Sequence, residues 1–242
     1  YNFLVWTDYV ESRNRSDLYY TTDDFTEIIL SDRKHHVGNT DYRDAFRGEN
    51  SALVLADNPY YQSISREVET EVTIPMIRPM AKFKIIATDL QKFIRHAKRL
   101  IAQKAANLPD ATRADIPEFN LEDYRVVCRY NGFMPCSFNM FTDKPADAWT
   151  GVSFESRLTT LSDEEAELGF DYIFVNGSES TISVTIDVYD RDNELVSRSS
   201  PISVPVKRSK LTVVRGEFLT SKAAGGIGII PDFEGDYNYV VP

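Results

Sequence analysis

Residues 171–220 read DYIFVNGSESTISVTIDVYDRDNELVSRSSPISVPVKRSKLTVVRGEFLT, and this stretch decides the fold. Within it Ile182, Val184, Ile186 and Val188 occupy every second position, and Asp187 lies between two of them. An alternation with a period of two is typical of a β-strand that has one face in a core and the other face in water. The stretch therefore predicts β structure.

Two short polar segments connect the strands of this stretch. One is Asn176-Gly177-Ser178, and the other is 190–193, which reads Asp-Arg-Asp-Asn. Tight turns favour glycine because it adopts positive φ angles, and they favour asparagine and aspartate because these side chains bond the local backbone. We therefore expect a run of antiparallel strands joined by tight turns.

The rest of the chain adds shorter strand patterns, at 1–10, 51–56, 68–77 and 124–130, whereas 32–50 reads as a loop. Pro75 lies inside one of these patterns and indicates an edge strand or a bulge, because proline cannot donate to a sheet ladder. Residues 162–165, Ser-Asp-Glu-Glu, resemble the start of a helix, and Gly169 limits that helix to about two turns.

One amphipathic helix is predicted at about 89–106. Six apolar residues follow helical spacing: Leu90, Phe93, Ile94, Ala97, Ile101 and Ala105. Basic residues cover the opposite face, and Asp89 is a favourable N-cap. Pro109 ends the pattern. A basic helix of this kind either packs over a sheet, which is the commoner arrangement, or offers a surface to a partner or a lipid.

The charge and hydropathy of the chain narrow the classes of function. Its 242 residues carry a net charge of −10, which favours solubility. A surface that binds nucleic acid or anionic lipid needs an excess of cations, so neither is an expected partner. No apolar run reaches about 18 residues, the length that spans a bilayer. The chain opens at Tyr1 within a strand-like pattern, which suggests a longer precursor.

The two cysteines, Cys128 and Cys136, flank Asn131-Gly132. A hairpin with a three-residue loop at that point would place them opposite each other, within reach of a disulfide. The other interpretation is two small core residues, and Pro135 beside Cys136 disfavours regular strand pairing.

Side chains that could carry chemistry are few and scattered. His35-His36 lies near two aspartates, but adjacent histidines on a polar loop rarely supply the three or four ligands that zinc requires. Residues 190–194 resemble a calcium loop without its central glycine and its closing glutamate, so a hairpin turn is the better interpretation. The glycines of 225–228 read as a loop rather than a phosphate cradle. We assign no catalytic, cofactor-binding or metal-ligating residue, and we expect no cofactor.

Two tyrosine pairs, Tyr19-Tyr20 and Tyr60-Tyr61, suggest an alternative function. Exposed aromatic rings can stack on sugars, which would indicate a glycan-binding module. In an alternating strand, however, each pair would place one ring in the core and the other at the surface. A carboxylate pair of a surface hydrolase is a further alternative, although the sequence singles out no such pair.

Four stretches, taken in their order along the chain, resemble the fimbrillin-related, fimbrial-anchor-like surface lipoproteins of Bacteroidetes. They are YNFLVWTDYV at 1–10, NTDYRDAFRG at 39–48, RPMAKF at 78–83 and VPVKRSKLTVVRGEFLT at 204–220. The last stretch is the most specific, and it departs from the family by carrying Ser209 where asparagine is common.

The resemblance implies an exported lipoprotein at the cell outer membrane, built from transthyretin-like β-sandwich domains. It implies a role as anchor, tip or stalk subunit of a pilus or as an adhesin, with no catalytic residues. Its partners would be other pilus or surface proteins that pair by strand addition, or ligands on host or bacterial surfaces. Membrane attachment would come only from a lipid anchor that is not present in this chain.

Together, these observations predict an all-β protein with one inserted helix. We expect an N-terminal sandwich at 1–140 that includes the helix and a C-terminal sandwich at 141–242, with one domain at 1–242 as the alternative. The expected function is a non-enzymatic adhesion or fimbria-associated subunit. The alternatives are a glycan-binding surface module and a surface hydrolase.

Overall fold

The computed structural model describes residues 1–13, 16–31, 35–51, 71–106 and 118–220 in full, and the backbone of 228–231 and 236–240. Within these ranges the chain forms an all-β sandwich with one α-helix, α1 (Leu90–Ala106), and 3-10 turns at Asp41–Arg43 and Leu121–Asp123. The predicted fold class is confirmed, and the helix lies where its spacing predicted it.

The strands are numbered in chain order. They are β1 (Asn2–Thr7), β2 (Tyr20–Thr21), β3 (Ile28–Leu30), β4 (Phe46–Ser51), β5 (Met76–Ile77), β6 (Met80–Ala87), β7 (Arg125–Tyr130), β8 (Met134–Pro135), β9 (Ser137–Asn139), β10 (Lys144–Pro145), β11 (Ala148–Trp149), β12 (Ser153–Arg157), β13 (Thr159–Thr160), β14 (Ala166–Phe174), β15 (Glu179–Tyr189), β16 (Leu195–Arg198), β17 (Ile202–Lys207), β18 (Leu211–Gly216), β19 (Gly228–Pro231) and β20 (Asp236–Val240).

Two large sheets build the sandwich. One has six strands in the order β13-β14-β6-β18-β20-β19. The other has five strands in the order β12-β7-β15-β16, and β17 also pairs with β15. Smaller sheets join β1-β4-β5, β10-β9-β3-β2 and β11-β8. The apolar residues that alternate along β15 are all buried, as their period predicted: Ile182, Val184, Ile186 and Val188.

The connection at Asn176-Gly177-Ser178 does not join two paired strands. β14 pairs with β6 and β13, whereas β15 pairs with β7, β16 and β17, so the chain crosses between the large sheets at this turn. The prediction that β14 and β15 pair with each other is wrong. Side chains of the segment 36–43, described below, already occupy the free edge of β14. Uniform antiparallel pairing is also wrong, since β18 lies parallel to both β6 and β20. The turn at 190–193 does join the paired strands β15 and β16.

The helix packs its apolar face on a core that both large sheets share. Leu90, Phe93 and Ala97 are its buried residues, and the Phe93 ring meets Tyr124 edge-on with centroids 5.0 Å apart. An apolar stripe of this kind stabilises a helix mainly through tertiary contact. The helix is therefore of the commoner kind that packs over a sheet.

Asp89 lies at the predicted N-cap position, where its C=O accepts from the N–H of Phe93 at 3.0 Å, but its side chain has another role. Its carboxylate accepts hydrogen bonds from the N–H groups of Leu219 and Thr220 and from the Thr220 hydroxyl. Asp89 is buried, so these donors compensate for the loss of water around a charge. The side chain thus fastens the segment that follows β18 to the start of the helix.

Two local predictions are wrong. Residues 46–50, expected in a loop, belong to β4, and Gly48 fits there because a Cβ would lie 2.5 Å from the Met76 sulfur. Residues 162–168 do not form a helix. The Ser162 hydroxyl accepts from the N–H groups of Glu164 and Glu165, but β14 begins at Ala166, so the hydroxyl closes a turn.

Parts of two predicted strands, 51–56 and 68–77, lie outside the described residues. Ser51 ends β4, and Met76–Ile77 forms β5 at the edge of the β1-β4-β5 sheet. The edge position agrees with the interpretation of Pro75.

Strand pairing crosses the predicted domain boundary at residue 140. β6 pairs with both β14 and β18, and β7 pairs with both β12 and β15. The division into 1–140 and 141–242 stays a prediction, as does its alternative of one domain at 1–242, and these pairings favour the alternative.

Candidate functional site

β12 has one edge with which no strand of the described residues pairs. It pairs on one side with β7, and the N–H of Tyr130 donates to the C=O of Val152, which sets the phase of the ladder. In an antiparallel pair the backbone groups of alternate residues face the partner. Those of Ser153, Glu155 and Arg157 therefore point away from β7. In the described part of the chain, no backbone group pairs with Ser153 or Arg157 on that side.

The corresponding edge of β14 is closed by Asn39. Its N–H donates to the C=O of Phe170 at 2.8 Å, and its side-chain oxygen accepts from the N–H of Phe170 at 2.8 Å. The amide nitrogen of Asn39 donates to the C=O of Glu155 in β12 at 3.2 Å. Asn39 thus replaces a neighbouring strand on β14 and links the two large sheets. Its φ of 55° lies in the left-handed region, which asparagine tolerates better than most residues.

A buried ionic hub around Asp171 holds this covering segment. The Asp171 carboxylate accepts a hydrogen bond from Arg43 and one from the Tyr130 hydroxyl at 2.6 Å, and His36 Nε2 lies 2.7 Å from it. The N–H of Tyr172 also donates to it, at 2.7 Å. Arg43 donates further to the C=O of Tyr172 at 3.1 Å, which is the next outward backbone oxygen of β14. The hub therefore both joins the segment 36–43 to β14 and closes the edge of β14.

The charge state of Asp171 depends on this cluster. Burial alone would raise the pKa of Asp171, but Arg43 above all, with His36 and Tyr130, holds it below its usual value. Asp171 is therefore ionised and paired, because a buried carboxylate is stable only with such partners. All its described contacts lie inside the protein, so its role is to hold the fold together.

The edge of β17 is blunted by a proline. The N–H of Arg208 donates to the C=O of Ser178, so the backbone groups of Ser203, Pro205 and Lys207 point away from β15. Pro205 has no N–H, and its C=O accepts from the Thr212 hydroxyl at 2.7 Å. Proline on an edge strand is a common protection against unwanted pairing. The β17 edge is thus less suited to strand addition than the β12 edge.

Asp187 forms a second ionic cluster on the five-stranded sheet. It accepts from Arg198 at 2.6 Å and from Arg129 at 2.7 Å. Burial would raise the pKa of Asp187, but the hydrogen bonds from Arg198 and Arg129 hold it below its usual value. Each arginine is about half exposed, with 54% and 44% of its side chain accessible, so this cluster is a surface clamp across β7, β15 and β16.

The histidine and cysteine pairs do not act as pairs. His36 belongs to the hub around Asp171, and the described residues hold no group of three or more possible metal ligands. Cys128 is a free thiol whose pKa is raised by burial, so the disulfide is not formed. The predicted hairpin is wrong, because β7 pairs with β12 and β15 while β8 pairs with β11. Both cysteines are buried core residues, as the second interpretation held.

The tyrosine pairs and the other loops are placed as follows. Tyr20 is buried, and its hydroxyl donates to the C=O of Arg43 at 2.6 Å, whereas Tyr19 is half-buried. Tyr60-Tyr61 and the glycines 225 and 226 lie outside the described residues.

Asp190 Oδ1 accepts from the N–H groups of Asp192 and Glu194, which confirms a hairpin turn at 190–194. No described helix is long and apolar enough to cross a membrane.

A family model that covers residues 1–242 matches the chain. The chain belongs to this family. It is DUF6562, described as a family of unknown function. No curated protein matches the chain.

Solved structures similar to this DUF6562 chain come from Bacteroidetes. The fimbrial anchor protein Mfa2 from Porphyromonas gingivalis matches 81% of the chain and 58% of its own length, at 8% identity and a TM-score of 0.35. A putative cell adhesion protein from Bacteroides uniformis matches 100% and 72%, at 12% identity and a TM-score of 0.39. A putative adhesin from Bacteroides ovatus matches 81% and 50%, at 9% identity and a TM-score of 0.33.

The chain therefore spans less than two thirds of the length of the fimbrial anchor protein and of the Bacteroides ovatus adhesin. The resemblance inferred from its sequence is confirmed as a low-identity structural likeness. What the DUF6562 chain does must be argued from its own residues.

Sequence reasoning missed the hub of this DUF6562 chain, although one signal was available. Asp171 shares its strand face with Ile173 and Val175, both buried, so it is a carboxylate on a core face. Such a residue needs a buried cationic partner. Nothing in the spacing of Arg43 identified it as that partner, because it lies 128 residues away.

Proposed function

We propose that the chain is a non-enzymatic subunit of the bacterial cell surface that serves adhesion or a fimbria, as an anchor, a tip or a stalk protein. It acts by contacts between β-strands and is displayed as an exported lipoprotein of the outer membrane. Its partners are other pilus or surface proteins. One observation carries the proposal: in the described part of the chain no strand pairs with the outer edge of β12, where only the Asn39 side chain bonds Glu155, whereas the neighbouring edges of β14 and β17 are covered or blunted.

The open edge has the chemistry that strand addition requires. Ser153 and Arg157 offer backbone N–H and C=O groups to an incoming strand, and such ladders supply the affinity of this binding mode. Phe154, the residue between Ser153 and Glu155, is buried in the core. This contact keeps β12 ordered while the outward backbone groups of Ser153 and Arg157 remain accessible. An ordered edge lowers the entropic cost of pairing.

The covering of β14 supports the same proposal by contrast. Exposed edges favour aggregation, and proteins usually protect them. In this chain Asn39, Arg43 and Asp171 cover the outward backbone groups of β14, and Pro205 blunts β17. An edge left open beside protected ones is suited to a specific partner.

A proline at the open edge tests the mechanism. Ser153→Pro removes an N–H that points away from β7, so the internal ladder is kept while the incoming strand loses a donor. Ser203→Pro is the matched control, since it removes an outward N–H from the blunted β17 edge. Cells that lack the protein are complemented with the wild type or with either variant.

The measurements are adherence or fimbrial attachment and the amount of protein at the surface, detected by antibody on intact cells. We expect Ser153→Pro to reach the surface but to lose most attachment, and Ser203→Pro to behave as the wild type. Equal attachment by all three proteins, or an equal loss in both variants, would contradict strand addition at β12.

A further inference from the structure

An exposed aromatic pair lies on the surface of the protein. The rings of Tyr9 and Tyr42 meet edge-on, with centroids 5.2 Å apart. Tyr9 is 47% exposed and Tyr42 is 57% exposed. Two tyrosines that remain exposed while they order each other form a rigid platform at low cost in conformational entropy.

Asp41, next to Tyr42, is a preoriented acceptor. Its Oδ1 accepts from the Lys82 ammonium at 2.6 Å and from the Tyr172 hydroxyl at 2.7 Å. Both donors lower the pKa of Asp41, so the carboxylate is charged at neutral pH. Within the described residues its Oδ2 has no hydrogen-bond donor, and 67% of the side chain is exposed. Oδ1 therefore holds the carboxylate in place, and Oδ2 is available to accept a hydrogen bond from a ligand.

Arg78 is a preoriented donor on the same surface. Its Nε donates to both oxygens of Asp44, at 2.8 and 2.9 Å, and its guanidinium lies over the Phe46 ring at 4.6 Å. In the described ranges no acceptor is bonded to its terminal nitrogens, and 44% of the side chain is exposed. The arginine is thus held by its Nε and by stacking on the Phe46 ring, and its two terminal NH₂ groups are available to a ligand.

These groups form one surface, which we call the Tyr9–Tyr42 platform: Tyr9, Asp41, Tyr42, Arg78, Lys82 and Tyr172. Arg78 is joined to Asp41 through Asp44, whose carboxylate it binds and whose N–H donates to the C=O of Asp41 at 3.1 Å. Lys82 lies over the Tyr172 ring at 5.2 Å. The platform thus combines exposed rings, a fixed acceptor and a fixed donor.

We propose that the Tyr9–Tyr42 platform binds a neutral carbohydrate. The C–H face of a sugar ring packs on aromatic rings, and its neighbouring hydroxyls both donate and accept hydrogen bonds, which the Asp41 oxygen and the Arg78 fork complement. Asp41 and the neighbouring Asp44, which pairs with Arg78, balance Lys82 and Arg78, so the platform and its immediate surroundings have no excess charge to select an acidic sugar. This inference deepens the proposed function by giving it a ligand class, and it does not require strand addition.

The first experiment screens the purified chain on an array of immobilised neutral and acidic glycans. The best neutral glycan is then titrated in solution against the wild type and the variants Tyr42→Ala, Asp41→Asn and Phe133→Ala. Phe133 is the matched control, because it is 78% exposed and lies outside the platform. Tyr42→Phe keeps the ring and removes only the hydroxyl.

We expect Tyr42→Ala and Asp41→Asn each to weaken binding by about tenfold or more, as truncation of a central binding residue does. Tyr42→Phe and Phe133→Ala should bind about as the wild type does. Because Tyr42 is exposed, its truncation leaves the core intact, and circular dichroism checks this. Binding of acidic glycans only, of no glycan, or of a neutral glycan with equal strength by all variants overturns the inference.

Ser153→Pro separates this inference from the proposed function. The variant should bind the neutral glycan as the wild type does, because the β12 edge contributes no residue to the platform. Loss of attachment with intact glycan binding supports both proposals. If the protein binds the glycan but Ser153→Pro does not change attachment, the proposed glycan site is supported and strand addition at β12 is contradicted.

Discussion

At the scale of single residues, Asp171 is the position on which the fold depends most directly. Its carboxylate is buried and receives Arg43, Tyr130, the N–H of Tyr172 and the contact with His36. Removing one partner from such a cluster leaves a buried charge without compensation, and this costs more than the pair contributed.

We expect Asp171→Asn to lower the free energy of unfolding by about 3–5 kcal/mol, because Arg43 stays charged in the core without its counterion. Urea denaturation at neutral pH, followed by circular dichroism, measures the change. Glu217→Gln is the control, since it removes an exposed ion pair with Lys92 and should move the midpoint little. A similar small shift in both variants would show that Asp171 is not a hub.

The effect of Asp171→Asn should depend on pH in one direction. The pKa of Asp171 is lowered in the folded protein, so its contribution is full above the unfolded value of about 3.9 and is lost as the pH falls through the folded value. The difference in unfolding free energy between wild type and variant should therefore be constant near neutral pH and shrink below about pH 4. A difference that persists unchanged in acid would contradict this linkage.

Ser209, where the resembling family commonly has asparagine, has a left-handed backbone conformation. Its φ is 61°, in the left-handed region, and its N–H donates to the C=O of Met80 at 2.8 Å. Asparagine, common at this position in the resembling family, adopts this region more readily than serine does. The backbone keeps the conformation because the hydrogen bond to β6 holds it.

At the scale of secondary-structure elements, the segment 36–43 acts as a substitute strand. It has no regular ladder, yet Asn39 and Arg43 satisfy the outward backbone groups of β14. Gly38 allows the segment to come this close, because a Cβ there would lie 2.4 Å from the buried Phe154 ring. Edge protection in this protein therefore comes from side chains.

Two substitutions of Asn39 separate its side chain from its backbone conformation. Asn39→Gly keeps the positive φ and the backbone bond to the C=O of Phe170 but removes the side-chain bonds to the Phe170 N–H and the Glu155 C=O, so we expect a loss of about 1–3 kcal/mol. Asn39→Ala adds the cost of a left-handed alanine, about 1 kcal/mol more. Chemical denaturation measures both losses. Amide exchange at Phe170 should speed up in both variants, and unchanged exchange there would show that Asn39 does not close the edge.

The sequence predicted elements better than their pairing. The period of β15 and the spacing of α1 are local patterns, so they were readable without a structure. The turn at Asn176-Gly177-Ser178 was recognised. Whether the strands on its two sides pair depends on what covers the edge of β14, and the residues that cover it, 39 and 43, lie more than a hundred positions earlier in the sequence. The β12 edge was missed for the same reason, because its openness depends on whether a distant segment pairs with it, and no strand of the described residues does.

The candidate site was less readable than the fold. The sequence predicted that Tyr19-Tyr20 places one ring in the core and the other at the surface, and Tyr20 is indeed buried beneath Trp6, with ring centroids 5.5 Å apart. The exposed pair is Tyr9 with Tyr42, and its members lie 33 positions apart on separate segments. Exposure is a property of tertiary packing, and the residue type alone does not determine it.

At the scale of the whole molecule, strands from both halves of the chain share one core. Trp6, on β1, packs against Phe174 of β14 with ring centroids 6.4 Å apart. β6 and β7, both before residue 140, complete the ladders of β14, β15 and β18. We propose on this basis that residues 1–242 form one domain.

One domain should unfold in one transition. Denaturation followed by tryptophan fluorescence and by far-ultraviolet circular dichroism should give coincident curves, the usual sign of two-state behaviour. The fragment 141–242, produced alone, should be unfolded because it lacks β6 and β7. Two separate transitions, or a folded 141–242 fragment, would restore the division at 140.

The parallel pairing of β6 with β18 bears on how the molecule carries load. Six residue pairs join the two strands, from Lys82–Leu211 to Ala87–Gly216. A pull on the chain before β6 against a pull after β18 draws parallel strands past each other, so all six pairs resist together in shear. Antiparallel neighbours pulled from a shared end would instead separate pair by pair, like a zip. Under tension in that direction we expect β6 and β18 to separate in one step rather than pair by pair.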